Sequence, residues 1–417
     1  MNSVLSAFSP VRNIKQLFVR PPGNFAVLDG FRALSMLMIL TFHTFAIYAY
    51  TNPDVTLTQL VEEGGLTWSW VWNSEKAVDI FFVISGFLIT GILLRQIDRD
   101  GRIHMWNFYS RRFLRLSPAY WLAILLYIGL GGPNIHYLWT NVLYINNFLP
   151  YDNQAMNWTW TLAIEEQFYL LYPLLLATLI RITRNPERWL WGLMGLSFVI
   201  RFLVIMAHPR LYTTPPSALV ADPHFHAYQF TVLYQNLYTR YGALLSGCLA
   251  AFYYYHHEEA TKRFLNSTLG HLLGILSLGW IIFLMMLPVF SHAFDHWTWQ
   301  SVLYQTFTRT LFAGSLAYLI LLCVERSYMS RVLNLIFANR LWYPLAQLSY
   351  SMYLVHILPI VAMVSLGVNA MHKFPKLYPY THWEAMSLLT LYSTGLTILL
   401  ALIFYLVIER PIMNLRK

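Results

Sequence analysis

The chain has 417 residues, 57% of them hydrophobic and only 11% charged, where soluble globular proteins carry about a quarter charged residues. That composition excludes an ordinary soluble enzyme and predicts an all-α polytopic membrane protein. The formal net charge of +9 is no sign of nucleic-acid binding, because the basic residues are spread through short loops and form no stripe; it suits anionic lipid headgroups or a phosphate-bearing ligand.

Residues 1–26 read as a basic interfacial segment that closes on "RPPGN" and lacks the compact apolar core of a signal peptide. Ten apolar runs of the length that crosses a bilayer, about 20 residues, follow at 27–50, 76–96, 116–131, 160–182, 187–207, 232–255, 269–289, 302–324, 344–368 and 384–409. The third is short, since "WLAILLYIGLGG" meets glycines early, and a re-entrant piece could complete it. These runs predict one transmembrane domain over 27–413 and a tail at 414–417, with no repeat period and no soluble domain.

Lys and Arg collect in cytoplasmic loops. Of the 28 in this chain, only Lys76, Arg210, Lys373 and Lys376 fall on the side opposite the N-terminus, while Arg32, Arg201, Arg240 and Arg309 lie inside runs. Both termini are therefore expected in the cytoplasm. Cys248 and Cys323 lie within runs at a spacing that suggests neither a metal site nor a disulfide.

The first run holds Arg32 near its start and His43 eleven residues further on. At about 100° per residue this is three turns with about 20° to spare, so both share one face, about 16 Å apart along the axis. Ionisable groups at membrane depth are costly and are functional candidates by default. Snorkelling to the interface is the bland alternative for Arg32, and a hydrogen-bonded core histidine is the alternative for His43.

Asp79 opens the second run in "VDIFFVISGFLIT". Before the third, "FYSRRFLRLSPAYW" gathers Arg111, Arg112 and Arg115, with Arg111 and Arg115 spaced i,i+4 on one face. Clustered guanidinium groups suit phosphate, although positive-inside topology accounts for part of the cluster. The outward stretch "YLWTNVLYINNFLPYDNQAMNWTW" has no Lys or Arg but many Asn, Tyr and Trp. Amide and aromatic side chains together suit a neutral polyhydroxyl ligand; an aromatic interface belt is the alternative.

Trp160, Glu165 and Glu166 begin the fourth run in "WTWTLAIEEQFYLLYP", Arg201, Arg240 and Arg309 fall within the fifth, sixth and eighth, and Tyr350 and His356 lie in the ninth, in "LSYSMYLVHILPI". A base, carboxylates and cations at one depth form a workable set for proton abstraction with acyl or phosphoryl transfer. Charge pairing between helices is the structural alternative for the arginines and carboxylates.

Arg32 and His43 with ten residues between them, "VDIFFVISGFLIT", "FYSRRFLRLSPAYW", "WTWTLAIEEQFYLLYP", "LSYSMYLVH" and "VIERP" resemble, in order and from about residue 27 to 413, the signatures of the acyltransferase-3 family of integral membrane acyltransferases. The resemblance implies a bacterial inner-membrane enzyme of about ten helices. Such an enzyme moves an acyl group, usually acetyl, from cytoplasmic acyl-coenzyme A to a hydroxyl of an envelope or surface glycan. By motif, His43 matches the family's essential histidine, Arg32 its paired arginine, and Arg111, Arg112 and Arg115 the donor-associated arginine motif. Glu165 matches the acidic residue after a Trp-Ser-Leu triplet, whose serine is Thr161 in this chain. Some members carry a fused extracytoplasmic esterase-like domain; this sequence, ending six residues after Pro411, is expected to lack one.

The mechanism implied has Arg111, Arg112, Arg115 and Arg32 holding the coenzyme phosphates and His43 taking the proton of the acceptor hydroxyl. Glu165 or Asp79 would stabilise the imidazolium. Arg240 would face the oxyanion, with Arg309, Arg201, Trp160, Tyr350 and His356 as further oxyanion or substrate contacts. Ser85, Ser349 and Tyr350 are conceivable acyl way stations. The partners implied are acyl-coenzyme A (acetyl-coenzyme A above all) as co-substrate, a glycan or lipid-linked glycan acceptor, and membrane lipids, with no metal. A transporter or flippase for a polar or anionic substrate is the alternative, because mid-membrane polar groups also line pathways. The lack of an inverted repeat and the cytoplasmic arginine motif weigh against it.

Overall fold

A computed structural model describes residues 6–23, 25–295 and 298–415; Arg416 and Lys417, two of the cytoplasmic basic residues expected above, lie outside them. The described residues are helical and contain no strand. In chain order the main helices are α1 (Pro10–Phe18), α2 (Ala26–Thr51), α3 (Leu57–Trp72), α4 (Ala77–Asp100), α5 (Met105–Gly129), α6 (Trp160–Ile182) and α7 (Pro186–Ala207). They continue with α8 (Leu237–His256), α9 (Thr268–Met286), α10 (Thr298–Val324), α11 (Trp342–Val355), α12 (Ile357–Lys373) and α13 (His382–Phe404).

Local signals set several helix starts. Thr56 and Gln59 close a capping box on α3, and Thr381 and Glu384 close another on α13. Each box satisfies amide donors that a helix start leaves without partners. Ser267 caps α9 through the Gly270 N–H at 3.1 Å.

Seven helices are long and apolar enough to cross a membrane, and α11 with α12, bent by 71°, makes an eighth if the pair is one span. Every run expected from the sequence falls on a helix. The two that lie outside these eight are α5, which carries Arg111, Arg112 and Arg115 in its first half, and α8, which carries Arg240 and the Tyr253–Tyr255 run. One helix was not anticipated. Residues 57–72 contain Glu62, Glu63, Gly64 and Gly65, which read as a loop, yet α3 runs through them with a kink at Gly65, whose φ of 48° suits glycine.

The chain divides into two compact units. The first comprises Met1–Ala77, Arg111–Leu125 and Phe337–Lys417. In it α2 packs against α3, α11, α12 and α13. Gly30 allows α2 to meet the chain at Phe337, because a Cβ there would overlap the Phe337 carbonyl; the Phe31 and Phe337 rings stack beside this contact at 4.4 Å. The second unit comprises Val78–Ser110 and Leu126–Ile336. Its centre is α8, packed against α7 and α10. Gly86 and Gly247 let α4 and α8 cross with their backbones touching, since a Cβ on either would overlap a carbonyl of the other helix. Small residues at such crossings are what membrane helices use for close packing.

Candidate active site

Within the first unit, α2 carries both sequence-predicted residues of the opening run. His43 is half-buried, and its Nδ1 lies 3.0 Å from Nε2 of His356, with the ring centroids 4.9 Å apart. His356 is fully buried at the bend between α11 and α12, and its other nitrogen, Nδ1, lies 2.7 Å from the carbonyl oxygen of Tyr353. The bend has a local cause. Pro359 brings no amide N–H for the Val355 carbonyl one turn before it, and on the same turn the Tyr353 carbonyl accepts from the His356 ring. Two residues 313 positions apart in sequence thus form one pair.

One end of α2 carries a cluster the sequence reading did not single out. Asp29 pairs with Arg20 at 2.8 Å, and Arg32 lies within electrostatic reach of the same carboxylate. Arg111 is exposed on α5, while Arg112 and Arg115 are half-buried. Arg115 lies within electrostatic reach of Glu409, a buried carboxylate that accepts a 2.6 Å hydrogen bond from Ser351. The three arginines therefore differ in exposure, and Arg115 lies near a buried acid. Tyr350 donates its hydroxyl to the Leu116 carbonyl at 2.6 Å, tying α11 to α5, and the Ser349 hydroxyl is bonded back to Ala346.

Towards the other end of α2, Phe45 packs against Trp68, Trp72 and Trp383, and the Tyr48 hydroxyl bonds His382 at 2.9 Å. Trp68 and Trp383 stack at 4.8 Å beside an open cavity of about 440 Å³ rimmed by Tyr380, Glu384, Ser387 and Leu388. Gly64 makes this possible, because a side chain there would crowd the Trp383 ring.

The second unit holds the other ionisable candidates. Asp79 is fully buried, 3.0 Å from Arg240 and 3.0 Å from Arg309. A π-helical turn over Phe230–Tyr234 presents the Tyr234 ring to both guanidinium groups, 4.8 Å from Arg240 and 4.5 Å from Arg309. Trp160 and Phe82 also lie on Arg240. Cation–π contact on several faces compensates a guanidinium withdrawn from water. The trio of ions is one positive charge in excess.

Glu165 accepts a 2.5 Å hydrogen bond from Ser85, and Thr161 is buried one turn before it. Glu166 is likewise half-buried on α6. Arg201 stands apart from the ion cluster. Its Nε donates to the Gln305 carbonyl at 2.9 Å and a terminal nitrogen donates to the Thr239 carbonyl at 2.8 Å, so it fastens α7 to α10 and α8. Among the described residues no group of three or more His, Cys, Asp or Glu could hold a metal ion.

The family model described as an acyltransferase domain matches residues 25–407. The chain belongs to the acyltransferase-3 family. The match takes in His43, Asp79, the arginines of α5, Glu165 and His356, so both clusters lie in the acyltransferase-3 region. Among curated proteins, the peptidoglycan O-acetyltransferase OatA of Listeria monocytogenes serovar 1/2a is 30% identical over 248 residues, which is 54% of this chain and 33% of that protein. The O-acetyltransferase OatA of Staphylococcus aureus strain NCTC 8325 is 28% identical over 362 residues, 81% of this chain and 51% of that protein. The chain thus spans a third to a half of the length of these curated relatives. No solved structure matches.

Proposed function

We propose that this acyltransferase-3 protein is a membrane O-acyltransferase that moves an acyl group, acetyl above all, from cytoplasmic acyl-coenzyme A to a hydroxyl of an envelope glycan. Ten crossings with both termini in the cytoplasm, and residence in a bacterial inner membrane, belong to the same proposal. The observation that carries it is the paired imidazoles of His43 and His356 in an apolar helix bundle. A fixed histidine beside apolar walls is what proton abstraction from an alcohol requires. The O-acetyltransferase names of the relatives support the same chemistry.

In this reading His43 is the general base. The acceptor O–H bond breaks, its proton passes to the imidazole, and the oxygen attacks the acyl carbonyl. As the tetrahedral intermediate collapses the C–S bond breaks, and the thiolate takes the proton back from the imidazolium. Arg111, Arg112, Arg115 and Arg32 supply charge for the coenzyme's phosphates; charge-assisted hydrogen bonds from guanidinium to phosphate are the strong, geometrically selective kind. The excess positive charge around Asp79 suits an anionic oxygen, and Glu165, bonded by Ser85, is a carboxylate for proton exchange in the same unit. The stacked tryptophans and hydroxyl-bearing rim of the cavity at Trp68 and Trp383 suit the CH faces and hydroxyls of a sugar.

The test is incubation of the purified protein with labelled acetyl-coenzyme A and a peptidoglycan fragment. Thioester consumption with label covalently on the glycan is expected. Movement of label across the membrane without a covalent product would contradict the enzyme reading and restore the transporter.

A further inference from the structure

The two imidazoles carry more information than their proximity. A carbonyl oxygen only accepts, so the 2.7 Å contact between the Tyr353 carbonyl and Nδ1 of His356 places a proton on that Nδ1. His356 is fully buried, and no carboxylate pairs with it among the described residues. A cation there would be expensive, so the ring is neutral and carries one proton only. Its Nε2 must then accept, and the donor across the 3.0 Å contact is Nδ1–H of His43. A neutral His43 protonated at Nδ1 has its lone pair on Nε2; the Ile39 carbonyl, one turn back on α2, is a further acceptor for its N–H.

We infer that His356 is a positioning residue for acyl transfer: held by the Tyr353 carbonyl at the bend, it fixes His43 in the tautomer whose Nε2 is the base. This rests on His43 being the base proposed above and adds which nitrogen acts and what orients it. When Nε2 takes the acceptor's proton, the new imidazolium keeps its Nδ1–H on His356, and the positive charge is shared with a neutral acceptor. A second imidazole backed by a main-chain carbonyl thereby does the work that a carboxylate does in hydrolase triads.

Two substitutions separate positioning from bulk. His356→Phe keeps a ring and removes the acceptor. His356→Gln places an amide oxygen where Nε2 stood, so it restores an acceptor for His43. The full-length protein in lipid, assayed with acetyl-coenzyme A and a glycan acceptor, should lose about 100-fold or more in kcat with Phe. The KM for acetyl-coenzyme A should stay unchanged, and Gln should recover activity to within about tenfold of the parent.

Nitrogen-15 NMR of the histidine-labelled parent, with the His43 signals identified by their loss in His43→Ala, should show Nδ1 protonated and Nε2 bare. That measurement decides the matter even if His356→Phe does not fold. Parent-like kcat in His356→Phe, equal loss in folded Phe and Gln variants, or a His43 protonated at Nε2 would each overturn the inference. A fully active His43→Ala enzyme would instead overturn the base assignment on which it rests.

Discussion

Taking the carboxylate away at position 79 leaves two guanidinium groups facing each other in a buried site, because Asp79 is the ion between Arg240 and Arg309. Breaking a buried ion cluster by removing one partner typically costs about 3–5 kcal/mol. Asp79→Ala should therefore lower the midpoint of thermal unfolding in detergent far more than Asp79→Asn, which keeps an acceptor. Equal midpoints for Ala and parent would show that the charges are compensated elsewhere. The arginines of α5 predict a different readout. Arg111 is exposed, so Arg111→Gln should weaken binding of acetyl-coenzyme A by about 1.5–3 kcal/mol with little change in stability. The parent's affinity should fall as salt rises. Calorimetric titration checks both, and an unchanged affinity would remove Arg111 from the donor site. Arg115→Gln is the less informative variant, because Glu409 lies within its electrostatic reach and stability would change as well.

Among the helices, the crossing of α4 and α8 is where sequence and packing agree most narrowly. A methyl at Gly247 would overlap the Val83 carbonyl, whereas Gly279 on α9 faces open space. Overpacking costs about 1–3 kcal/mol, so Gly247→Ala should lower thermal stability while Gly279→Ala leaves it near the parent value; identical melting curves would mean that the helices do not meet at Gly247. Which parts of the helical layout could be read beforehand follows the same logic. The long apolar runs announced α2, α6, α7, α9 and α10 because a bilayer demands that length of apolar chain. α3 was hidden because Glu62, Glu63 and the Gly64–Gly65 pair break its apolar pattern, and the burial of Leu60 and Val61 in a helix that packs against α2 overrides that local signal. The bend at His356 was hidden for the opposite reason: "YLVHILPI" is one unbroken apolar stretch, and only the proline hints that the helix turns by 71° there.

Across the whole molecule, the individual functional candidates were legible and their pairings were not. His43 and Arg32 stand out because a titratable group in an apolar helix is conspicuous. Their partners come from distant sequence: His356 reaches His43 across 313 positions, and Arg309 reaches Asp79 across 230. No local pattern encodes such contacts. Arg201 illustrates the cost of reading charge alone, since it clamps the main-chain carbonyls of Gln305 and Thr239. The account as a whole turns on the imidazole of α2 doing the proton chemistry of acyl transfer. The measurement that reaches it most directly is transfer of labelled acetyl from acetyl-coenzyme A to glycan by His43→Ala, reconstituted in lipid vesicles and shown by its unfolding midpoint to be folded. A fall of at least about 10²-fold in turnover is predicted, the usual contribution of a general base. Turnover equal to that of the parent would contradict the account.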